Sequence, residues 1–172
     1  MPYLLAKGGY SGIDRVYDDD MNLLGETYYD ANGHVGANAS GVTATWRERD
    51  ENGRVALIWY LDAEGERAFN AYIGAWGEAF AYDEKGWVIR DTLLGADGEP
   101  TAGVNGWARA EYTNADSKHK LTERYYDADG NPCVPPKQGY AGIDRLFDEA
   151  MRVTRYTYYD ATGHVGPNAK GV

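Results

Sequence analysis

The sequence is poor in several residue types that would place it in common functional classes. Its 172 residues include a single cysteine, Cys133, so it has neither an intramolecular disulfide nor a cysteine-based zinc site. Lysine and arginine number 17 against 27 aspartates and glutamates, and the net charge of −10 argues against nucleic acid and anionic lipid as partners. No apolar run approaches the ~20 residues that cross a membrane, so membrane insertion is not expected.

The sequence also lacks recognisable catalytic patterns. Its three histidines, His34, His119 and His164, belong to no local Ser/His/Asp or Cys/His arrangement, and Cys133 lies beside prolines without an evident base. Carboxylates are abundant, but none stands in an apolar segment of the kind that prepares an acid catalyst. We therefore expect no catalytic residues, no cofactor and no enzyme activity.

Aspartates in turns are the candidate metal ligands. Asp127 and Asp129, just before Gly130, come nearest to a calcium loop, and the three aspartates at 18–20 form a second acidic cluster. Calcium takes about six to eight oxygen ligands, and neither segment has the longer alternating loop of a dedicated site. Turn chemistry accounts for these residues, so we predict no metal site.

What the chain has instead is an internal repeat. Glycine returns at nearly constant spacing, and each unit carries a turn near its middle that closes on glycine, as in DANG at 30–33 and DADG at 127–130. In repeat proteins of this kind, each unit buries its apolar surface against its neighbours. We divide the chain, as one array over 1–172, into five units of about 32 residues, 9–40, 41–73, 74–105, 106–138 and 139–170, with partial units at 1–8 and 171–172; the units open on Gly9, Gly41, Gly74, Gly106 and Gly139, and Gly171 follows.

The pattern within a unit predicts a β-hairpin followed by a short third segment. Two β-rich stretches flank a polar turn, such as the one at 50–53, in which aspartate opens the turn and glycine closes it. Turn signals recur every 10–12 residues or so and leave no room for helices. We predict an all-β fold in which five tandem hairpins form a solenoid or spiral, with a small propeller-like ring as the alternative.

The sequence also contains a second repeat with a longer period. Residues 1–42 align without a gap with 131–172, and 23 of the 42 positions are identical, including GIDR at 12–15 and 142–145. The Asp-Arg pairs in the two GIDR segments predict cross-strand ion pairs between neighbouring hairpins, which we favour over the alternative that the arginines contact an anion or a glycan. Because the first unit nearly copies the fifth, four units form one longer repeat, and the sequence starts partway through such a repeat. We therefore expect the chain to be a fragment of a longer array.

The segments WYLDAEG at 59–65, TYYDANG at 27–33, RYYDADGNP at 124–132 and TYYDATG at 157–163 resemble the hairpin repeats of bacterial cell-wall-binding proteins, which bind choline or glucan. A looser resemblance, through YDDDMN at 17–22 and YDEKG at 82–86, is to the YD repeats of bacterial surface proteins. Both imply stacked hairpins in a larger protein that is secreted or displayed on the cell surface. The first implies shallow aromatic ligand sites formed by consecutive hairpins.

Aromatic side chains are therefore the candidate ligand contacts. Tyrosine and tryptophan can form the core of such an array, or they can stack on sugar rings and quaternary ammonium groups. All five tryptophans fall in three consecutive units, which predicts a groove in the middle of the chain. The candidate ligand-binding residues are Trp46, Trp59, Tyr60, Trp76, Trp87, Trp107 and Tyr125.

Two functions of different classes fit this pattern. One is non-catalytic binding of a cell-wall polysaccharide or teichoic-acid-like polymer through repeated weak contacts. The other is a protein–protein or self-assembly module, in which exposed hairpin edges pair with other copies of the chain. Tryptophans in an open groove would favour the first, and buried tryptophans with bare strand edges would favour the second.

Overall fold

The computed structural model of the chain describes residues 8–166 and contains ten β-strands. The strands are β1 (Gly12–Tyr17), β2 (Leu23–Tyr29), β3 (Ala44–Arg49), β4 (Val55–Leu61), β5 (Gly77–Tyr82), β6 (Val88–Leu94), β7 (Arg109–Asn114), β8 (Lys120–Tyr126), β9 (Gly142–Phe147) and β10 (Val153–Tyr159). They follow one another in chain order within one sheet, and no helix occurs in the described part of the chain. The predicted all-β fold with antiparallel hairpins is confirmed, whereas the solenoid and the ring stay predictions.

Aspartate carboxylates stabilise the hairpin turns by accepting hydrogen bonds from backbone N–H groups. In the turn between β3 and β4, the Asp50 Oδ1 atom accepts bonds from the backbone N–H groups of Asn52 and Arg54, both at 2.9 Å. Gly53 closes this turn with φ of 76°, a left-handed conformation that favours glycine. Met21 and Met151 adopt the same conformation at the corresponding place of their turns, with φ of 63° and 58°. A β-carbon is costly there, and the sequence had not pointed to these two positions.

The predicted third segment of the unit is also present. After its DxxG turn the chain folds back along the hairpin, and the Ala68 N–H group donates to the Tyr60 carbonyl oxygen at 2.8 Å. Isolated β-bridges mark the same return in four units, at Tyr29↔Val35, Leu61↔Arg67, Tyr126↔Pro132 and Tyr159↔Val165.

The described residues form two compact structural units, called unit 1 and unit 2 below, each of which is larger than one sequence repeat. Unit 1 ends at Ala79 and also includes Leu94–Gly98, while unit 2 comprises Phe80–Leu93 and the described residues from Glu99 onward. In unit 1 the core consists of Tyr28, Val42 and Tyr60, with Ile13 and Ile58 among the side chains packed against it. Unit 2 buries Leu93, Trp107, Ala108, Ala110, Tyr125, Ala141 and Ile143.

Several sequence predictions fall on positions that the structure does not describe. Gly171, the partial unit at 171–172 and all of the partial unit at 1–8 except Gly8 lie outside the described residues. The equivalence of 1–42 with 131–172 can be followed in the structure only from Gly8 to Gly36 and from Gln138 to Gly166.

Candidate functional site

A cleft of about 390 Å³ opens in unit 2 at the edge of the sheet where β8 and β10 end and β9 begins. Strand residues that pair across a sheet share a face, and the register Arg124↔Gly142 and Gly142↔Tyr159 places these three residues side by side. The turn after β10 forms the opposite wall. The cleft is lined by Arg124, Tyr125, Tyr126, Pro132, Ala141, Gly142, Tyr159 and residues 160–163.

Asp144 fixes two side chains of the cleft at once. Its Oδ2 atom accepts a hydrogen bond from the Tyr159 hydroxyl at 2.7 Å, and its Oδ1 atom accepts one from the Arg124 Nη2 group at 2.7 Å. The hydrogen bond to Asp144 raises the pKa of Tyr159, so the phenol stays neutral. The Arg124 guanidinium carbon also lies 4.7 Å from the centre of the Tyr159 ring. The ring and the guanidinium are therefore held in place before any ligand arrives.

Gly142 provides the space for this arrangement. A β-carbon built on Gly142 would stand 2.6 Å from the Arg124 Cδ atom, which is closer than real contacts allow. Arg124 therefore passes close over Gly142, and its Nη1 group donates to the carbonyl oxygens of Glu123 on β8 and Ile143 on β9 at 2.8 and 3.1 Å.

A second tyrosine lines the same cleft from β8. The guanidinium carbon of Arg109 lies 4.4 Å from the ring centre of Tyr126, so one face of this ring carries a cation. Burial raises the pKa of Tyr126. The lining of the cleft combines three tyrosines, Tyr125, Tyr126 and Tyr159, with the Arg124 guanidinium and the Asp160 carboxylate, a mixed polar and apolar surface of the kind that binds a small organic ring.

The cleft has a counterpart in unit 1, beside Tyr29. Ser11, Gly12, Asp14, Tyr29, Asp30, Ala31 and Gly33 line a concavity of about 380 Å³, and five of them are identical to the matching residues of the unit 2 cleft. The Tyr29 hydroxyl donates to the Asp14 Oδ2 atom at 2.8 Å, as Tyr159 donates to Asp144. None of residues 8–166 corresponds to Arg124 or Tyr126 at this concavity.

In the middle of unit 1 a tryptophan fills the corresponding place. Trp59 stands on β4 where Arg124 stands on β8, and it pairs with Gly77 as Arg124 pairs with Gly142. The guanidinium carbon of Arg67 lies 3.7 Å from the Trp59 ring, and Gly77 lies close against the six-membered part of the indole.

The structure distributes the predicted ligand residues of unit 1 over different environments. Trp46 is 41% exposed and lies directly across from Trp59 on the neighbouring strand. Tyr60 is buried, and its hydroxyl donates to the Glu78 carboxylate on β5. Trp76 is half-buried, with its ring centre 4.7 Å from that of Phe69. Trp46 and Trp59 are thus brought together, whereas Tyr60 belongs to the core.

The predicted residues of unit 2 are mostly inside. Trp107 and Tyr125 are only 9% and 6% exposed, and their ring centres lie 6.2 Å apart. Trp87 is half-buried under the ammonium group of Lys85, 4.6 Å from its ring centre. Tyr125 is the only member of the predicted set among the residues that line the cleft of unit 2.

Sequence reasoning missed Arg124, Asp144 and Tyr159 as members of one site. It did predict that the Asp-Arg pair of GIDR forms ion pairs between neighbouring strands, and this is confirmed in unit 2. Asp144 pairs with Arg124, and Arg145 pairs with Glu123 at 2.6 Å. The signal that could have revealed the site was the joint recurrence of GIDR and the YD turn in units one and five.

The remaining chemical features are simple. No group of three or more histidine, cysteine or acidic side chains within residues 8–166 could hold a metal ion. The same residues include no helix long and apolar enough to cross a membrane. Burial raises the pKa of the Cys133 thiol, which keeps it protonated and unreactive at neutral pH.

Comparison with protein-family models and with curated proteins finds no match to this chain.

Proposed function

We propose that this chain is a non-catalytic glycan-binding module, and that the cleft beside Tyr159 is its main binding site. The observation that carries the proposal is the fixed Tyr159–Asp144–Arg124 group at the wall of an open cleft of about 390 Å³. An aromatic ring offers a flat surface to the C–H face of a sugar. The neighbouring carboxylate and guanidinium can exchange hydrogen bonds with the sugar hydroxyls.

The guanidinium beside the Tyr159 ring favours one of the ligands that the resemblance implies. Arg124 lies 4.7 Å from the centre of this ring, so a quaternary ammonium group such as choline would have to compete with a cation that is already in place there. A neutral sugar ring meets no such penalty. We therefore favour the polysaccharide over a choline-bearing polymer, in a bacterial protein that is secreted or displayed at the cell surface.

The second concavity, beside Tyr29, gives the module a second contact of the same kind. It presents the same tyrosine and aspartate, joined by the same hydrogen bond. Exposed Trp46 shares the tyrosine's face of the sheet, since it pairs with Gly25, four residues before Tyr29 on β2. Repeated weak contacts of this kind suit a polymer, because binding at one place raises the effective concentration of the chain at the next.

We also propose that the hairpins continue as an open solenoid or spiral, with a closed ring as the alternative. The recurrence of the same hairpin, turn and return segment supports a regular stacking of units. Small-angle X-ray scattering distinguishes the two, because a solenoid is elongated and a ring is compact.

The function is tested by binding of the purified chain to insoluble peptidoglycan in a pelleting assay and to soluble wall polysaccharides by calorimetry. Tyr159→Ala should weaken binding about tenfold, a loss of about 1.4 kcal/mol. Tyr159→Phe keeps the ring but releases Asp144, and should cause a smaller loss. Tyr72→Ala is the matched control, since Tyr72 is an exposed tyrosine outside both clefts.

Two results would contradict the proposal. Unmodified protein that binds no wall polymer would remove the function altogether. Equal weakening by Tyr159→Ala and Tyr72→Ala would show that the cleft is not the site.

A further inference from the structure

We propose that β10 of one copy pairs with β1 of a second copy, so that the chain associates head to tail through its two outer strands. Among the described residues, β2 is the only strand paired with β1, and β9 is the only strand paired with β10. The return segment covers the end of the outer edge of β10, where Val165 bridges to Tyr159 and the Gly166 N–H group donates to the Tyr158 carbonyl oxygen at 3.0 Å. Within residues 8–166, no strand covers the rest of these two outer edges. Such an edge is a template for pairing with another chain.

Strand β9 has nearly the same sequence as β1, so the neighbour of β9 shows which kind of strand can pair with β1. Both strands carry Gly-Ile-Asp-Arg, at 12–15 and at 142–145. In β9 the edge that corresponds to the outer edge of β1 is occupied by β8, through the pairs Thr122↔Asp144, Glu123↔Ile143 and Arg124↔Gly142. The outer edge of β1 thus carries the same residues with which β9 pairs with β8.

Strand β10 occupies the same position in its repeat as β8 does. Both strands are the second of their hairpin, and both end in Tyr-Tyr followed by an aspartate turn. Transferring the β8–β9 register to β10 and the β1 strand of a second copy gives the pairs Arg155↔Asp14, Tyr156↔Ile13 and Thr157↔Gly12.

The side chains at these positions are complementary. Arg155 would face Asp14, which places opposite charges in a directly opposed pair. Tyr156 is 51% exposed, and pairing would place its ring against Ile13. Thr157 is smaller than Arg124, which already fits over the glycine that corresponds to Gly12, so no clash arises.

An aromatic row also continues across the proposed junction. In unit 2 the ring centres of Tyr125 and Tyr140 lie 6.1 Å apart, and those of Tyr140 and Tyr158 lie 5.1 Å apart. In unit 1 Tyr10 lies 4.8 Å from Tyr28. Because Tyr158 corresponds to Tyr125 and Tyr10 corresponds to Tyr140, the proposed register brings Tyr158 of one copy beside Tyr10 of the next.

The junction uses different surfaces on the two copies, so nothing limits it to a dimer. A heterologous contact of this kind forms a closed ring of chains if the rotation closes, and an open filament if it does not. It would also set β10 of one copy beside the incomplete Tyr29 concavity of the next, with Thr157 at the place that Arg124 holds in unit 2.

Light scattering after size-exclusion chromatography tests the association. We expect the average mass to rise above the 19.0 kDa of one chain as concentration increases from micromolar to near-millimolar. Arg155→Glu should abolish the rise, and adding Asp14→Arg to it should restore the rise. Lys118→Glu, which reverses an exposed charge in the turn between β7 and β8 and away from β10, is the control and should leave association unchanged.

Directed cross-linking tests the register and the identity of the partner. In a Cys133→Ser background, Tyr156→Cys combined with Ile13→Cys should give disulfide-linked dimers and higher species on a non-reducing gel. A cross-link formed only within single chains would instead mean that β10 pairs with β1 of the same chain, and would overturn the proposal. A constant mass of one chain at all concentrations would overturn it too. Either result leaves the glycan-binding proposal intact, because Arg155 and Tyr156 do not line the cleft of unit 2.

Discussion

Trp59 and Gly77 face each other on neighbouring strands so closely that a β-carbon on the glycine would stand 2.6 Å from the indole ring and 2.8 Å from the Ile58 carbonyl oxygen. Gly142 faces Arg124 at the corresponding place of unit 2, also with 2.6 Å to the nearest atom. The two glycines share a position in the repeat but meet neighbours of different stiffness.

This difference predicts unequal costs for the same substitution. Gly77→Ala should lower the free energy of unfolding by about 2 kcal/mol, because neither the indole nor the backbone carbonyl can move aside easily. Gly142→Ala should cost less than about 1 kcal/mol, since a flexible arginine can shift, but it should break the Arg124–Asp144 ion pair. Urea unfolding of both variants measures the costs, and equal values would contradict the explanation.

The hairpin turns allow a matched test of backbone strain. Met21 and Gly53 occupy the same position in successive units, and both have positive φ. Met21→Gly should stabilise the fold by about 0.5–1 kcal/mol, because glycine adopts this conformation without strain. Gly53→Ala should cost about 1 kcal/mol, because alanine adopts this backbone conformation only with strain. No atom lies within 4 Å of the new β-carbon, so steric contact adds nothing to the cost.

The control for this pair is Met21→Ala, which removes the methionine side chain but keeps the β-carbon. We expect no gain in its thermal midpoint. If Met21→Ala stabilised the protein as much as Met21→Gly, exposure of the apolar side chain rather than backbone strain would be the cause.

The turn aspartates predict a loss of stability in acid. Asp18, Asp30 and Asp148 each accept a hydrogen bond from the backbone N–H group four residues later, at 2.8, 3.0 and 2.9 Å, and this bond lowers the pKa of each carboxyl group. A carboxyl pKa that is lower in the folded than in the unfolded state stabilises the fold above the unfolded value. That stabilisation is lost from about pH 5 downward as protons bind.

The measurement is the urea midpoint at pH 7 and at pH 3 for the unmodified chain and for a variant with Asn at all three positions. Asparagine keeps an acceptor oxygen but cannot titrate. The midpoint should therefore fall less between the two pH values in the variant. An unchanged fall would assign the acid sensitivity to other carboxylates.

Glu26 connects two arginines of different exposure. It accepts hydrogen bonds from Arg47 at 2.9 Å and from Arg15 at 3.1 Å. The Arg47 side chain is 17% exposed and that of Arg15 is 46% exposed. Glu26→Gln should cost about 2 kcal/mol, because it leaves the charge of Arg47 poorly compensated in a half-buried place.

Arg15→Ala should cost only about 0.5 kcal/mol, since an exposed ion pair contributes little. Chemical unfolding of the two variants in low salt and in high salt checks the comparison. Only the Arg15 contribution should shrink in high salt. Equal losses for the two variants would contradict the assigned difference in burial.

The hairpins could be predicted from the sequence because their causes are local. An aspartate that opens a turn and a glycine that closes it act over four or five residues, as Asp50 and Gly53 show. The same local rule failed to mark Met21, because a residue with a β-carbon can be held in a left-handed turn by the surrounding hydrogen bonds.

The candidate site could not be predicted in the same way. The sequence directed attention to the tryptophans, yet Trp107 and the two tyrosines of that set, Tyr60 and Tyr125, are buried. Alternation along a strand shows that neighbouring side chains face opposite ways, but not which face a neighbouring hairpin covers. Which face is covered depends on the register between neighbouring strands.

The sequence by itself therefore determined the period, the hairpins and the turns, since each follows from residues close together in the chain. Only the tertiary structure decided that Trp59 fills its place under Arg67 while Arg124 leaves a cleft beside Tyr159. The two residues occupy the same position of the repeat. Their environments differ because the facing strands and the following turns come from other hairpins, and packing between hairpins is a property of the folded sheet.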